Sequence, residues 1–233
     1  MTSSLIQRVT RLDLKVGTFR WPFADERRAG ISAHFAEKQR ERPKLWNGRV
    51  LLARNPVIAD GCFSADYFET DFASFLAWRD WGFPDKAVFN GFGMGALRAS
   101  DGAFALGEMG AHTANAGRIY FPAGTPDPGD IKDGSFDVSG SVVREAEEET
   151  GLTPSDYRAG EDWDCIHTGA SIALIRVLQV DMPGEALRAR IEANLARQTL
   201  PELSAIHLVR KRSDITTAMP RFVTAWLEAK LPA

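Results

Sequence analysis

Between Ser141 and Leu152 the chain reads SVVREAEEETGL, with four glutamates in five positions: Glu145, Glu147, Glu148 and Glu149. On a helix, at about 100° per residue, Glu145, Glu148 and Glu149 stand at i, i+3 and i+4 on one face. Val142, Val143, Ala146 and Thr150 fall on the neighbouring face and suit packing against a sheet, while Glu147 points away as solvent-facing charge. Such a helix is locally poor. Like charges at i and i+4 repel by about 0.2–0.5 kcal/mol. Carboxylates in the last turn oppose the helix dipole by about 0.3–1 kcal/mol each. Gly151 suits the position that ends the helix. The bland alternative is a solvated acidic face. A divalent cation would reverse the sign of the repulsion, because three carboxylates on one face offer hard oxygen ligands. Such a cation would clamp phosphate oxygens and prepare an attacking water.

The rest of the composition narrows the class. A chain of 233 residues that is 44% hydrophobic is long enough for one substantial core, or one core and a smaller lobe. The net charge of −3 argues against a nucleic-acid partner. Cys62 and Cys165 form neither a CxxC nor a zinc pattern and read as small buried thiols. No stretch resembles a signal peptide or a membrane span, so the expectation is a cytoplasmic protein with no membrane partner. A homodimer stays open.

Along the chain, Leu12–Gly17 alternates like a strand and Asp25–Pro43 reads as a polar helix. Strands follow, with turns near Asn47-Gly48 and Asp60-Gly61, and then a short helix over Ala73–Gly82. The segment Phe83–Ala87 is the expected boundary between an N-terminal accessory lobe (1–84) and a main domain (85–233). The main domain opens with a hairpin whose two-residue turn is Asp101-Gly102. Ala116–Gly124 reads as a strand, Asp164–Met182 as one long or two short strands, and Ser204–Lys211 as a strand. Helices are expected over Gly184–Gln198 and Pro220–Leu231. This mixture argues for an α/β-layered or α+β fold.

Arg144-Glu145-Ala146-Glu147-Glu148-Glu149-Thr150-Gly151-Leu152 resembles the second half of the Nudix box, and every specified position of that half is matched. Phe121–Gly124 (FPAG) resembles the strand and turn that open the box. The first half departs from the pattern. Counting forward from Gly124 places Asp130 where the family has a glutamate, and IKDGSFDVSG then reads as an insertion before the helix. The resemblance implies a Nudix-type α/β/α sandwich around a mixed sheet, with a small N-terminal α/β lobe appended. It implies an Mg²⁺- or Mn²⁺-dependent hydrolase that cleaves the diphosphate joining a nucleoside to another group. By motif position Glu145, Glu148 and Glu149 would be the metal ligands. One of them, or a glutamate from a nearby loop, would be the general base. Arg144 would hold the helix by an ion pair, with Asp130 as its partner, and Gly151 would end the helix.

No P-loop, GxSxG or cysteine nucleophile competes, and the four histidines (His34, His112, His167, His207) read as structural or exposed. Asn115, Arg118 and Glu202 are candidate substrate contacts by position. Phe63, Tyr67 or Trp78 could stack on a base, although core is the commoner role. The N-terminal half with GFGMGAL loosely resembles the UDP-sugar hydrolysing branch of the family, and an NDP-sugar-like small molecule is the favoured substrate. NAGRIYFPAGTPDPGD is partly similar to the box opening of coenzyme A diphosphatases, the runner-up. A non-catalytic Nudix-fold sensor is the alternative of another class, and a third is a scaffold partner acting through the N-terminal lobe.

Overall fold

The structure is a computed structural model that describes residues 5–232. It begins with β1 (Leu5–Val9), β2 (Arg11–Val16), α1 (Pro22–Glu26) and α2 (Arg28–Glu41). A long hairpin follows, β3 (Arg49–Ala59) and β4 (Cys62–Asp71). Its turn, Asp60-Gly61, has positive φ at both residues (49° and 70°), the twist that matches a two-residue connection. The Asn47-Gly48 pair does not make a second such turn. The Asn47 side chain instead accepts the Ala73 N–H (2.8 Å) at the start of α3 (Phe72–Asp80), which Asp71 caps through Ser74 N–H.

After α3 come β5 (Val88–Arg98) and β6 (Phe104–Met109). The loop between them has positive φ only at Gly102, and Ala99 N–H donates to Ala103 O. It is therefore longer than the expected two-residue turn, with a single left-handed residue closing it. Next are β7 (Ile119–Tyr120), β8 (Ile131–Lys132), β9 (Ser135–Phe136), α4 (Val138–Thr150), β10 (Tyr157–Ala159), β11 (Trp163–Thr168) and β12 (Ser171–Val180). The chain closes with α5 (Gly184–Leu195), β13 (Leu203–Val209) and α6 (Arg221–Lys230). The long strand expected over Ala116–Gly124 is reduced to β7, because Ala123–Thr125 leaves the ladder for the site described below. The stretch IKDGSFDVSG supplies the β8–β9 hairpin, the cap Asp137 and the first turn of α4, and the hairpin docks on β2 through Lys15↔Ser135.

Among the described residues the strands form one 13-stranded mixed sheet, with β5 at its centre. β5 runs parallel to β12 from Asn90 to Arg98 and antiparallel to β3 only at Val88 and Phe89. Strands from both sides of residue 84 share this sheet, since β1 pairs with β11. One main core joins Val9, Leu14, Leu51 and Phe63 to Met94, Val142 and Trp226. Two smaller clusters, around Trp21, Phe68 and Trp78 and around Ile31, Phe35 and Leu76, are built almost wholly from N-terminal residues.

The string NGFGMG explains how helices reach both faces of β5. Successive side chains of a strand point to opposite faces. A Cβ on Gly93 would lie 2.6 Å from Val138 Cγ2, and one on Gly95 would lie 3.2 Å from Val142 Cγ1. The glycines thus let α4 approach the sheet closely, with α5 packed beside it. Phe92 and Met94 occupy the opposite face, where α6 packs: Phe92 meets Phe222 edge to face at 5.4 Å, and Trp226 meets Phe104 at 5.1 Å. The result is the α/β/α layering expected of this mixed α+β chain. No helix among the described residues is long and apolar enough to cross a membrane.

Candidate active site

β3 and β5 part after their short pairing, and Pro122–Pro126 fills the gap. Gly95 N–H donates to Pro122 O (3.1 Å), and Leu51 N–H donates to Pro126 O (2.7 Å). A place where neighbouring strands diverge is where α/β sheets commonly bind ligands. The acidic face of α4 meets this segment: a Cβ on Gly124 would fall on Glu145 Oε1. Glycine at 124 is required by that close approach, not by its backbone angles.

The helix separates its glutamates. Glu145 is 7% exposed and Glu149 only 3%, whereas Glu147 is exposed and the Glu148 side chain is 60% exposed. Val142, Ala146 and Thr150 are buried, as packing on the sheet requires, and Thr150 Oγ1 donates to Ala146 O. Gly151 ends the helix in the left-handed region (φ 73°), and a Cβ there would also press on Asn194.

Arg144 organises the carboxylates. Its Nη2 donates to both oxygens of Asp130 (3.0 and 3.2 Å) and its Nη1 to Glu145 (2.7 Å) and Glu148 (3.3 Å). Asp130 is itself buried and accepts Asp127 N–H and Ser141 Oγ–H. The acid that follows Gly124 therefore sits against the motif arginine, despite the inserted hairpin between them.

Burial pushes Glu145 up to about 7, with the Glu148 and Glu202 charges adding to the rise and Arg144 opposing it. Burial also holds Glu149 well above the ordinary carboxylate range. The Glu145 and Glu202 charges reinforce this, and the Ala123 backbone amide acts against it. Glu149 Oε1 is buried with no hydrogen-bond partner. Arg144 is shared among Asp130, Glu145 and Glu148, and Glu149 Oε1 has no partner, so the buried pair is short of positive charge.

A hard divalent cation fits that donor set. Mg²⁺ takes one or two protein carboxylates and keeps waters or substrate oxygens for its other positions. Among the described residues no three His, Cys, Asp or Glu side chains converge closely enough to hold a metal. Glu145 and Glu149 are buried, whereas the Glu148 side chain is 60% exposed, so the three do not share one inward position.

Ala123, Gly124 and Thr125 also form one rim of a cavity of about 400 Å³. It is also lined by Asn90, Phe92 and Met94 of β5, by Phe72, Phe75 and Arg79 of α3, and by Met219, Pro220, Arg221 and Phe222 at the start of α6. Asn115, Arg118 and Tyr120 complete the lining. Asn115 Nδ2 donates to the Tyr120 hydroxyl (3.1 Å), whose proton is held more tightly by burial and by the charges of Glu149, Glu202 and Glu145.

Of the candidate substrate residues, Asn115 and Arg118 thus line the cavity, whereas Glu202 does not; its charge acts on Glu145 and Glu149, and its backbone carbonyl accepts Gly110 N–H (2.7 Å). The aromatics considered for stacking do not reach it: Phe63, Tyr67 and Trp78 are all at most 1% exposed and belong to the core. Phe72, Phe75, Phe92 and Phe222 line the cavity instead. For Phe92, the alternation with glycine was the available signal. For Phe72 and Phe75 nothing local distinguishes core from cavity wall.

The histidines stand elsewhere, His34 with Asp80, His207 with Glu108 and His167 with Gly169 O. Cys165 is buried, its thiol pushed up to about 12 by burial, and Cys62 is half-buried rather than fully so.

No family model matches this chain, and no curated protein matches it. Solved structures with similarity to it include RenU, a Nudix hydrolase from M. smegmatis, at 13% identity and TM-score 0.37, covering 61% of this chain and 86% of that one. MutT protein from Methanosarcina mazei Go1 matches at 19% identity and TM-score 0.39, covering 61% and 92%. A chain in the complex of the C-terminal domain of mouse MUTYH with human PCNA matches at 12% and 0.37, covering 60% and 88%. In the order and spacing of Arg144, Glu145, Glu148, Glu149 and Gly151, the chain resembles the Nudix hydrolases.

Proposed function

We propose that the protein is a divalent-metal-dependent hydrolase that cleaves the diphosphate joining a nucleoside to another small group, with an NDP-sugar-like substrate favoured. The observation that carries this reading is the buried Glu145–Glu149 pair beside Gly124, with Glu149 Oε1 unpartnered, at the rim of a 400 Å³ cavity. Mg²⁺ or Mn²⁺, when bound, would supply charge neutralisation of the diphosphate and acidification of water. Glu145 and Glu149 would hold it, with Glu148 joining only on release from Arg144. Arg118, which lines the cavity, is suited to a phosphate oxygen.

In the reaction, water adds to one phosphorus, the bridging P–O bond breaks, and a nucleoside monophosphate and a phosphorylated second product leave. Such a step requires positioning and charge stabilisation more than covalent chemistry. The proton of the attacking water passes to a carboxylate of this cluster: Glu145, Glu149 or Glu202. Arg144 takes no part in bond making. It holds α4 against Asp130. Residues 1–84 act as an accessory part that walls the cavity through Phe72, Phe75 and Arg79.

The test is a panel of NDP-sugars, dinucleotides and coenzyme A derivatives assayed for released monophosphate, with and without Mg²⁺. Turnover in wild type that disappears in folded Glu149→Gln supports the reading. Absence of turnover across the panel favours a sensor.

One observation supports coenzyme A as the second reading. A groove of about 450 Å³ lined by His34, Lys38 and Arg42, and by Asp80 paired with His34 and Arg79, shares Arg79 and Ala114 with the main cavity. A substrate carrying a phosphate remote from its diphosphate could use it, so coenzyme A would then be cleaved faster than its dephosphorylated form.

A further inference from the structure

Three features of the cavity bear on what it could hold. Asn90 Oδ1 is buried and accepts no hydrogen bond, although Asn90 lines the cavity. A buried carbonyl without a donor is destabilising, so the position favours a ligand that supplies one. The walls are aromatic: Phe92 and Phe222 meet edge to face, and Phe72 of α3 lies among the lining residues. The Arg118 guanidinium, which also lines the cavity, has no hydrogen-bond or ion-pair partner among the described residues, while Arg79 is engaged by Asp80 (3.1 Å) and Asn115 (3.4 Å). An orphaned acceptor, aromatic rings and an unpaired guanidinium lining one cavity suit a flat heterocycle with an N–H edge that carries a phosphate. The volume of about 400 Å³ lies within the range of small-molecule sites.

We infer that this cavity is the nucleobase subsite, and that Asn90 is a specificity-determining residue whose Oδ1 accepts a ring or exocyclic N–H of the base. The inference deepens the hydrolase reading and rests on it for the identity of the attached phosphate. It also gives α3 a role: the N-terminal part of the chain supplies one wall of the base pocket, and β5 supplies the residue that reads the base. The alternative occupant, the non-nucleoside group of the substrate, is distinguished by the test.

The experiment is calorimetric titration of the full-length protein with AMP, GMP, CMP, UMP and ribose 5-phosphate. At least one nucleotide is expected to bind about tenfold or more tightly than ribose 5-phosphate, from base burial and stacking. Asn90→Leu should bring that nucleotide close to the ribose 5-phosphate level while leaving ribose 5-phosphate itself unchanged, which also reports that the variant is folded. Arg118→Ala should weaken both classes by the same factor. The inference is overturned if all four nucleotides bind within twofold of ribose 5-phosphate, if none of the five binds, or if Asn90→Leu weakens ribose 5-phosphate equally. The hydrolase reading fails separately: tight, Asn90-dependent nucleotide binding without Mg²⁺-dependent turnover would remove the enzyme and keep the pocket. Turnover whose KM is untouched by Asn90→Leu would do the reverse.

Discussion

Replacing Glu145 by glutamine should stabilise the metal-free protein at neutral and alkaline pH. The reasoning follows from burial. Glu145 is raised from an ordinary 4.5 to about 7 in the fold. Between those values the folded protein holds a proton that the unfolded chain has lost, so stability is fully present below about 4.5 and is lost as pH rises through about 7. At about 1.4 kcal/mol for each tenfold, the difference amounts to about 3 kcal/mol. Glu149 is raised for the same reason and acts in the same direction. Thermal melts in EDTA from pH 5 to pH 8.5 should show wild type losing stability steadily. For a chain of this size that corresponds to roughly 6–12 °C in Tm. Glu145→Gln should remove the Glu145 share of the slope and leave that of Glu149, since its carboxamide still accepts from Arg144 and carries no charge. Excess Mg²⁺ should flatten the wild-type slope from the opposite side, by stabilising the charged form. A wild-type stability that stays level or rises over this range in EDTA, or an equal slope in the variant, would refute both the burial argument and the cation deficit inferred from it.

Gly124→Ala should leave the protein folded but lower turnover by about a hundredfold, because its methyl group displaces the Glu145 carboxylate; kcat together with circular dichroism checks this. Asp130→Asn removes the anion that fixes Arg144. A loss of about 2 kcal/mol in urea denaturation is expected, below the range for a fully buried pair because the Arg144 side chain is 36% exposed. Deleting residues 1–84 should give no soluble, cooperatively melting fragment. The deletion strips Leu51 and Phe63 from the main core and leaves the β11 and β5 edges unpaired.

How much of this was legible in the chain depends on the range of the interactions. The helix over SVVREAEEETGL, its buried apolar face and its Gly151 stop follow from periodicity and local conformational preference, which act within a few residues. Its start at Val138 was not legible, because Asp137 becomes a cap only once the β8–β9 hairpin is docked on β2. The pairing of Asp130 with Arg144 was suggested by counting forward from Gly124, yet the insertion between them hid the contact that the fold restores.

What the sequence by itself marked out is the candidate chemistry: an acidic helix, an arginine beside it, and a glycine turn preceding both. The tertiary structure alone decided how those charges differ. Burial at the parting of β3 and β5 sets Glu145 and Glu149 apart from Glu148, although all three share one helical face. Solvent access and the reach of Arg144 are properties of the packed surroundings, and no spacing along the chain encodes them. The cavity beside the pair has the same origin, since α3, β5 and α6 come from three distant parts of the chain and meet only when the sheet is assembled.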